Sequence, residues 1–244
     1  MIFPSIPVVS GRGTPAIDAA DMSLIYTPES GAHGHWLFGP DATSKTTLIG
    51  SGTLTDQDDA PTYSTAYASI DSRDSLLTDI SDGTSQALSM CAVLRIPSAE
   101  HSGFNFLLGN LVSGAGSGRS IYASTGALLF RVGGASNTSI GLTLAADTWY
   151  FVAFSHDPTD DTDSLRVVVG GSDAVSQDYD STGIVAGSSN FAIGDPAYNS
   201  AGSQTVDYAE AIIFDGMLTV AQMEAIYHRS LIRMSERSIA VGTI

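Results

Sequence analysis

Residues 190–230 read NFAIGDPAYNSAGSQTVDYAEAIIFDGMLTVAQMEAIYHRS, and this stretch decides the fold. Its pattern is a short strand from Phe191 to Gly194, a polar loop with Pro196 and Gly202, a long apolar strand from Val206 to Phe214, a turn at Asp215-Gly216, and a helix. In the long strand Val206, Ala209, Ala211, Ile212, Ile213 and Phe214 are nearly continuous. Such a strand buries both of its faces, so it is expected deep in a sheet built by earlier residues. Thr219 and Gln222 then stand at the Thr-x-x-Gln spacing of a capping box, which starts the helix.

Upstream, TWYFVAFS at 148–155 carries the strongest strand signal in the chain. It is followed by the acidic turn HDPTDDTD and by Leu165 to Gly170, which predicts a hairpin. Ala87 to Ile96, Phe104 to Leu108, Ser120 to Ala123, Ala127 to Val132 and Ser139 to Leu144 continue the series at the roughly 8–12-residue spacing of an antiparallel sandwich. Earlier still, MSLIY, GAHGHWLFGPD, TTLIGSGTLT and TYSTAYASI are β-prone runs punctuated by Gly, Pro and Asp. The predicted class is all-β, an antiparallel β-sandwich with a C-terminal α-helix. Three units are expected: an extended arm at 1–22, the sandwich at 23–218, and the helix with its tail at 219–244.

With 43% hydrophobic and 15% charged residues, 244 residues suffice for one large core, and the profile is not that of a disordered chain. The formal charge of -16 repels a phosphate backbone and excludes nucleic acid as an expected partner. Cys91 is the only cysteine and lies in an apolar run, so it reads as a small core hydrophobe. The N-terminal MIFPSIPVVSGRGTP has no basic region before its apolar residues and reads as neither a signal peptide nor a membrane span. Ordering that Pro-stiffened arm costs entropy that only buried apolar surface offsets. Ile2, Phe3, Ile6, Val8 and Val9 are therefore expected to dock on another subunit or a neighbouring protein. No cofactor is expected.

The order Asp147, Trp149, Tyr150, Val152, Ala153 and Asp157, then Leu165 to Gly170, Ile193-Gly194 and Ala209 to Tyr227, resembles the laminin-G-like, concanavalin A-like lectin/glucanase jelly rolls. More weakly, His35 to Phe38 with Gly50-Ser51-Gly52, Tyr67 to Ile70 and Leu88 to Ile96 fall in the expected order. The resemblance implies two stacked antiparallel sheets of about a dozen strands. It does not imply an activity, since lectins, enzymes and structural modules share this fold. A glycine-rich, lysine-poor domain with a proline-rich arm also resembles those on fibres, spikes and baseplates of tailed bacteriophages. That likeness implies a lectin-like virion component, a homo-oligomer that folds in the bacterial cytoplasm before assembly, binding a host surface glycan or serving as a structural subunit. A polysaccharide-degrading enzyme on the same fold is the alternative.

Glycanases of this fold hold two carboxylates on alternate residues of one strand. Asp207 and Glu210 are three residues apart, so a regular strand would point them to opposite faces. No catalytic residue is therefore assigned. For carbohydrate, the loop 195–204 offers Asp195, Tyr198 and Asn199, an aromatic face beside polar groups, against its reading as an ordinary connection. Asp157, Asp160, Asp161 and Asp163 of the acidic turn offer carboxylates to Ca2+, or form a solvated hairpin tip. His33 and His35 share a strand face but lack a third zinc ligand nearby. Trp36 and Trp149 read as core aromatics rather than sugar platforms. On the helix, Val220, Met223, Ile226, Tyr227, Leu231 and Met234 form an apolar stripe, and Arg229, Arg233 and Arg237 form a basic one. The basic stripe either docks on the acidic surface of an adjacent subunit or complements the helix dipole.

Overall fold

A computed structural model describes residues 27–71, 74–112, 116–133, 137–159, 164–177, 185–194 and 204–244. The strands are β1 (Gly34–Leu37), β2 (Ile49–Gly50), β3 (Leu54–Asp56), β4 (Thr62–Tyr63), β5 (Ala68–Ile70), β6 (Leu76–Thr78), β7 (Leu88–Arg95) and β8 (Phe104–Gly109). They continue with β9 (Arg119–Ser124), β10 (Ala127–Val132), β11 (Thr138–Thr143), β12 (Trp149–His156), β13 (Leu165–Val169), β14 (Ser172–Gln177), β15 (Ala192–Ile193) and β16 (Val206–Phe214). The chain closes on helix α1 (Val220–Glu236).

The strands form two antiparallel sheets. The larger, of nine strands, runs β14-β13-β12-β7-β16-β1-β2, with β5 pairing on β16 and β4 on β5; the smaller, of seven, runs β11-β10-β9-β8-β15-β6-β3. The predicted sandwich is therefore the fold. β16 lies between β7 and β1, and every one of its residues is buried, as its nearly continuous apolar run predicts, Asp207 and Glu210 included. The predicted hairpin is β12 with β13, in register from Val152↔Val169 to His156↔Leu165.

Two apolar layers explain that burial. The first lies between the sheets and includes Trp36, Phe38, Met90, Leu107, Ile121, Phe130, Phe154 and Tyr208. Gly34 makes room for Trp36: a Cβ there would sit 2.1 Å from the indole. The second lies between the outer face of the nine-stranded sheet and α1, and joins Cys91, Val93, Phe151, Ala209 and Ile212 to Met223, Ile226, Tyr227 and Met234. Each fully buried large apolar side chain contributes roughly 1.5–3 kcal/mol, enough to hold the helix down. The capping box forms as expected. Thr219 Oγ1 accepts from the Gln222 N–H, and the Gln222 side chain accepts from the Thr219 N–H at 2.8 Å.

The tail continues this packing rather than leaving it. Ile239 is buried in the second layer, and the Gly242 N–H donates to the Trp149 carbonyl at 2.7 Å. Ile239, with Val241 packed beside it, thus finds apolar surface within its own chain, on the outer face of the larger sheet. Residues 1–26, which include the arm, lie outside the described residues. Among the described residues no helix is long and apolar enough to cross a membrane.

Candidate functional site

A sandwich has two outer faces, and here α1 seals one of them. Beneath the helix the register of β16 against β7 shifts between Tyr208 and Glu210, a β-bulge at Ala209. The extra residue turns Glu210 to the same outer face as Asp207, so the expectation of opposite faces is corrected. Both carboxylates are buried, at 3% and 1% exposure. Asp207 accepts from Ser69 Oγ at 2.6 Å and from Arg95 Nε at 3.0 Å, and the Arg95 guanidinium lies over the rings of Trp149 and Tyr67. Glu210 Oε1 lies 2.7 Å from His35 Nε2 and 2.6 Å from Arg233 Nε. Burial pushes the Glu210 carboxyl up, but the Arg233 charge and the His35 contact more than offset it and hold the group at about 2.

The basic stripe of the helix is consumed in the same place. Arg229 and Arg233 both pair with the buried Glu29 at 3.0 Å, and Arg237 donates to the carbonyls of Ala209 and Phe38. Of the two readings of this stripe, docking on an adjacent subunit or complementing the helix dipole, the structure shows neither as its main use: two carboxylates buried under α1 need counter-charges, and the helix supplies them.

The outer face of the seven-stranded sheet is built differently. Among the described residues no helix covers it. Strand alternation puts Leu129 and Arg131 of β10 outward, while Leu128, Phe130 and Val132 enter the core. Leu129 stands opposite Tyr122 of β9, and Tyr122 opposite Phe106 of β8. The Phe106 and Tyr122 rings stack at 5.3 Å between centroids, with Leu111 packed against them. Phe104, at 6.3 Å from Tyr122, extends the row into solvent and is 58% exposed.

Beside Phe104, the Gly103 backbone meets the side chain of Gln204 so closely that a Cβ would lie 1.5 Å from its Nε2. On the other side of the intervening loop, the Gly194 N–H donates to the Leu107 carbonyl on β8. The residues flanking the loop thus contact β8 at Leu107 and the residue just before it, Gly103. Asp195, Tyr198 and Asn199, the carbohydrate candidates within that loop, lie outside the described residues.

Arg131 completes this face. Its Nε is buried without a hydrogen-bond partner, and the residue makes no ion pair among the described residues. Every other described Lys or Arg has an acceptor: Lys45 on Asp56, Arg95 on Asp207, Arg119 on Asp82, Arg166 on the Leu218 carbonyl, and Arg229, Arg233 and Arg237 under the helix.

The remaining candidates separate. Asp157 accepts from the Thr159 N–H and Oγ1 at 2.8 and 2.7 Å, an Asx-type turn, while Asp160, Asp161 and Asp163 lie outside the described residues. His33 and His35 take different partners, Asp79 and Glu210. Trp36 is fully buried and Trp149 is 9% exposed, in the two apolar layers as expected. One buried polar cluster has no counterpart in the sequence reading. Arg119 Nη1 donates to His156 Nδ1 at 2.8 Å, its Nη2 pairs with Asp82, and its guanidinium covers the Phe191 ring. Burial first, and then the Arg119 charge, depress the His156 ring to about 3, so it is neutral at pH 7.

The sequence matches no family model and no curated protein. Solved structures do resemble it. The receptor-binding domain of botulinum neurotoxin D superposes with a TM-score of 0.59 at 13% identity, over 84% of this chain and 54% of that one. The botulinum neurotoxin serotype D ligand-binding domain in complex with N-acetylneuraminic acid gives 0.59 at 12%, over 86% and 53%. A mutant of Trypanosoma rangeli sialidase displaying trans-sialidase activity gives 0.58 at 13%, over 82% and 33%. The chain spans about half the length of those neurotoxin domains. At such identities the likeness concerns the fold, and it agrees with the β-sandwich.

Proposed function

We propose that this chain is a non-enzymatic, lectin-like glycan-binding module that uses the outer face of its seven-stranded sheet. The observation that carries the reading is the aromatic row ending in the exposed Phe104, on the outer face that α1 leaves free. A sugar ring presents an apolar face that stacks on an aromatic ring, and exposing a phenyl group to water without a ligand forgoes roughly 25 cal/mol per Å² of burial. Two of the similar solved domains are named for receptor or ligand binding, and one is a complex with N-acetylneuraminic acid. A binding role without catalysis is supported by Asp207 and Glu210, which are committed to arginines beneath the helix and its tail rather than facing a cleft.

The setting we propose is a phage or phage-like particle, where the chain is a fibre, spike or baseplate component that folds in the bacterial cytoplasm and assembles as a homo-oligomer. The glycine-rich, lysine-poor composition and the Pro-stiffened arm support that setting. The test is a glycan array of bacterial surface polysaccharide fragments, read for the natural protein and for Phe104→Ala. Binding that is lost in the variant, with an unchanged melting temperature, is the expected result. Binding that survives Phe104→Ala, or release of shorter oligosaccharides from the array, contradicts the reading.

A further inference from the structure

We infer that the face carrying Phe104 selects an anionic saccharide, whose carboxylate or sulfate is received by Arg131; this rests on the glycan-binding reading above. The chain carries 26 acidic and 10 basic side chains, so an unpaired cation is a scarce feature of it. Among the described residues seven of the eight cations are held by acceptors within the chain. The eighth, Arg131, stands on the outer face with the aromatic row. A guanidinium offers five donors in a planar fork that matches a carboxylate or sulfate, and beyond the enclosed Nε the terminal Nη donors of Arg131 have no acceptor among the described residues. A ligand oxyanion supplies what the chain does not.

The spacing fits an oligosaccharide rather than a single sugar. Arg131 is opposite Ser120, whereas Phe104 is opposite Ser124, which is itself opposite Ala127. Four residues along the strands and two strands across place the two Cα atoms about 16 Å apart, from the usual rise and strand spacing. One ring stacked on Phe104 therefore leaves its acidic neighbour, further along the face past Tyr122, within reach of Arg131. Against the strong overall negative charge, Arg131 is the one described cation without an acceptor in the chain, and so the place among the described residues where an acidic chain gains a counter-charge.

The probes are three oligosaccharide sets of matched length, uronic-acid-containing, sulfated and neutral, titrated by calorimetry against the natural protein, Arg131→Gln and Phe104→Ala. The expected result is preference for one acidic set over the neutral one, a roughly 10-fold or greater loss for that set in Arg131→Gln, and less than about 2-fold change for neutral chains. Whichever acidic set prevails identifies the oxyanion. Arg131→Lys is expected to recover only part of the loss, because it restores the charge without the fork. Equal binding of neutral and acidic chains, unaffected by Arg131→Gln but lost in Phe104→Ala, overturns the inference and leaves the glycan-binding reading intact. Failure of every set to bind overturns both. The Arg131 side chain makes no hydrogen bond among the described residues, so unchanged melting of Arg131→Gln is the control.

Discussion

Acidification tests the packing of the sandwich through one residue, His156. Its ring is fully buried between the sheets, at the end of β12, with Nδ1 accepting from Arg119 and the ring 5.3 Å from that of Phe130. In the folded chain it titrates at about 3; in the unfolded chain an ordinary histidine titrates at about 6.5. The unfolded state therefore takes up a proton first as the pH falls. Stability from the neutral ring is complete above pH 6.5 and is lost progressively toward pH 3. Each unit between those limits is worth about 1.4 kcal/mol, so falling from pH 6.5 to pH 4 removes about 3 kcal/mol through this residue alone. Carboxylates add their own acid loss, so the comparison needed is with His156→Gln, whose side-chain oxygen still accepts from Arg119 but does not titrate. Urea denaturation at pH 7 and pH 4 is expected to show the natural protein losing about 3 kcal/mol more than the variant. Parallel losses in the two proteins would refute the reasoning, since His156 would then be hydrated or protonated in the fold.

Three further outcomes follow from other parts of the molecule. Arg233→Ala leaves Glu210 and Glu29 short of a counter-charge under α1 and is expected to cost about 3–5 kcal/mol in denaturant unfolding, whereas a cost below about 1 kcal/mol means the helix is not docked as described. Thr219→Ala removes the helix cap and is expected to cost about 1 kcal/mol, read as a lower melting temperature with unchanged strand content by circular dichroism. Removing residues 1–15 is expected to leave a folded β-rich domain that no longer assembles in analytical ultracentrifugation; normal assembly makes the arm a tether only, and unfolding makes it part of the core.

How much of this was legible in the sequence differs between residues for physical reasons. The nearly continuous apolar run of β16 and the Thr219-Gln222 spacing are local signals, and both predicted their structures. β6 escaped because it is only three residues long, and β14 because Ser, Asp and Gln outnumber its Ala and Val, so their neighbours make them strands. The pairing of Asp207 with Glu210 on one face depends on a bulge that no residue count reveals. The basic stripe of α1 was visible, but one of its partners, Glu29, is 200 residues away from Arg229. The aromatic row was readable only as β-prone runs. That Phe104, Phe106, Tyr122 and Arg131 share a face follows from register, and that this face is the one without a helix follows from where α1 packs.

We propose that ligand binds the outer face of the seven-stranded sheet. The most direct measurement is amide chemical-shift mapping of the labelled protein during titration with the best saccharide from the array. Shifts are expected to concentrate on β8, β9 and β10 around Phe104, Tyr122 and Arg131, with β16 and α1 silent. Shifts centred on the α1 side of the molecule around Arg95, Trp149 and the tail would contradict it.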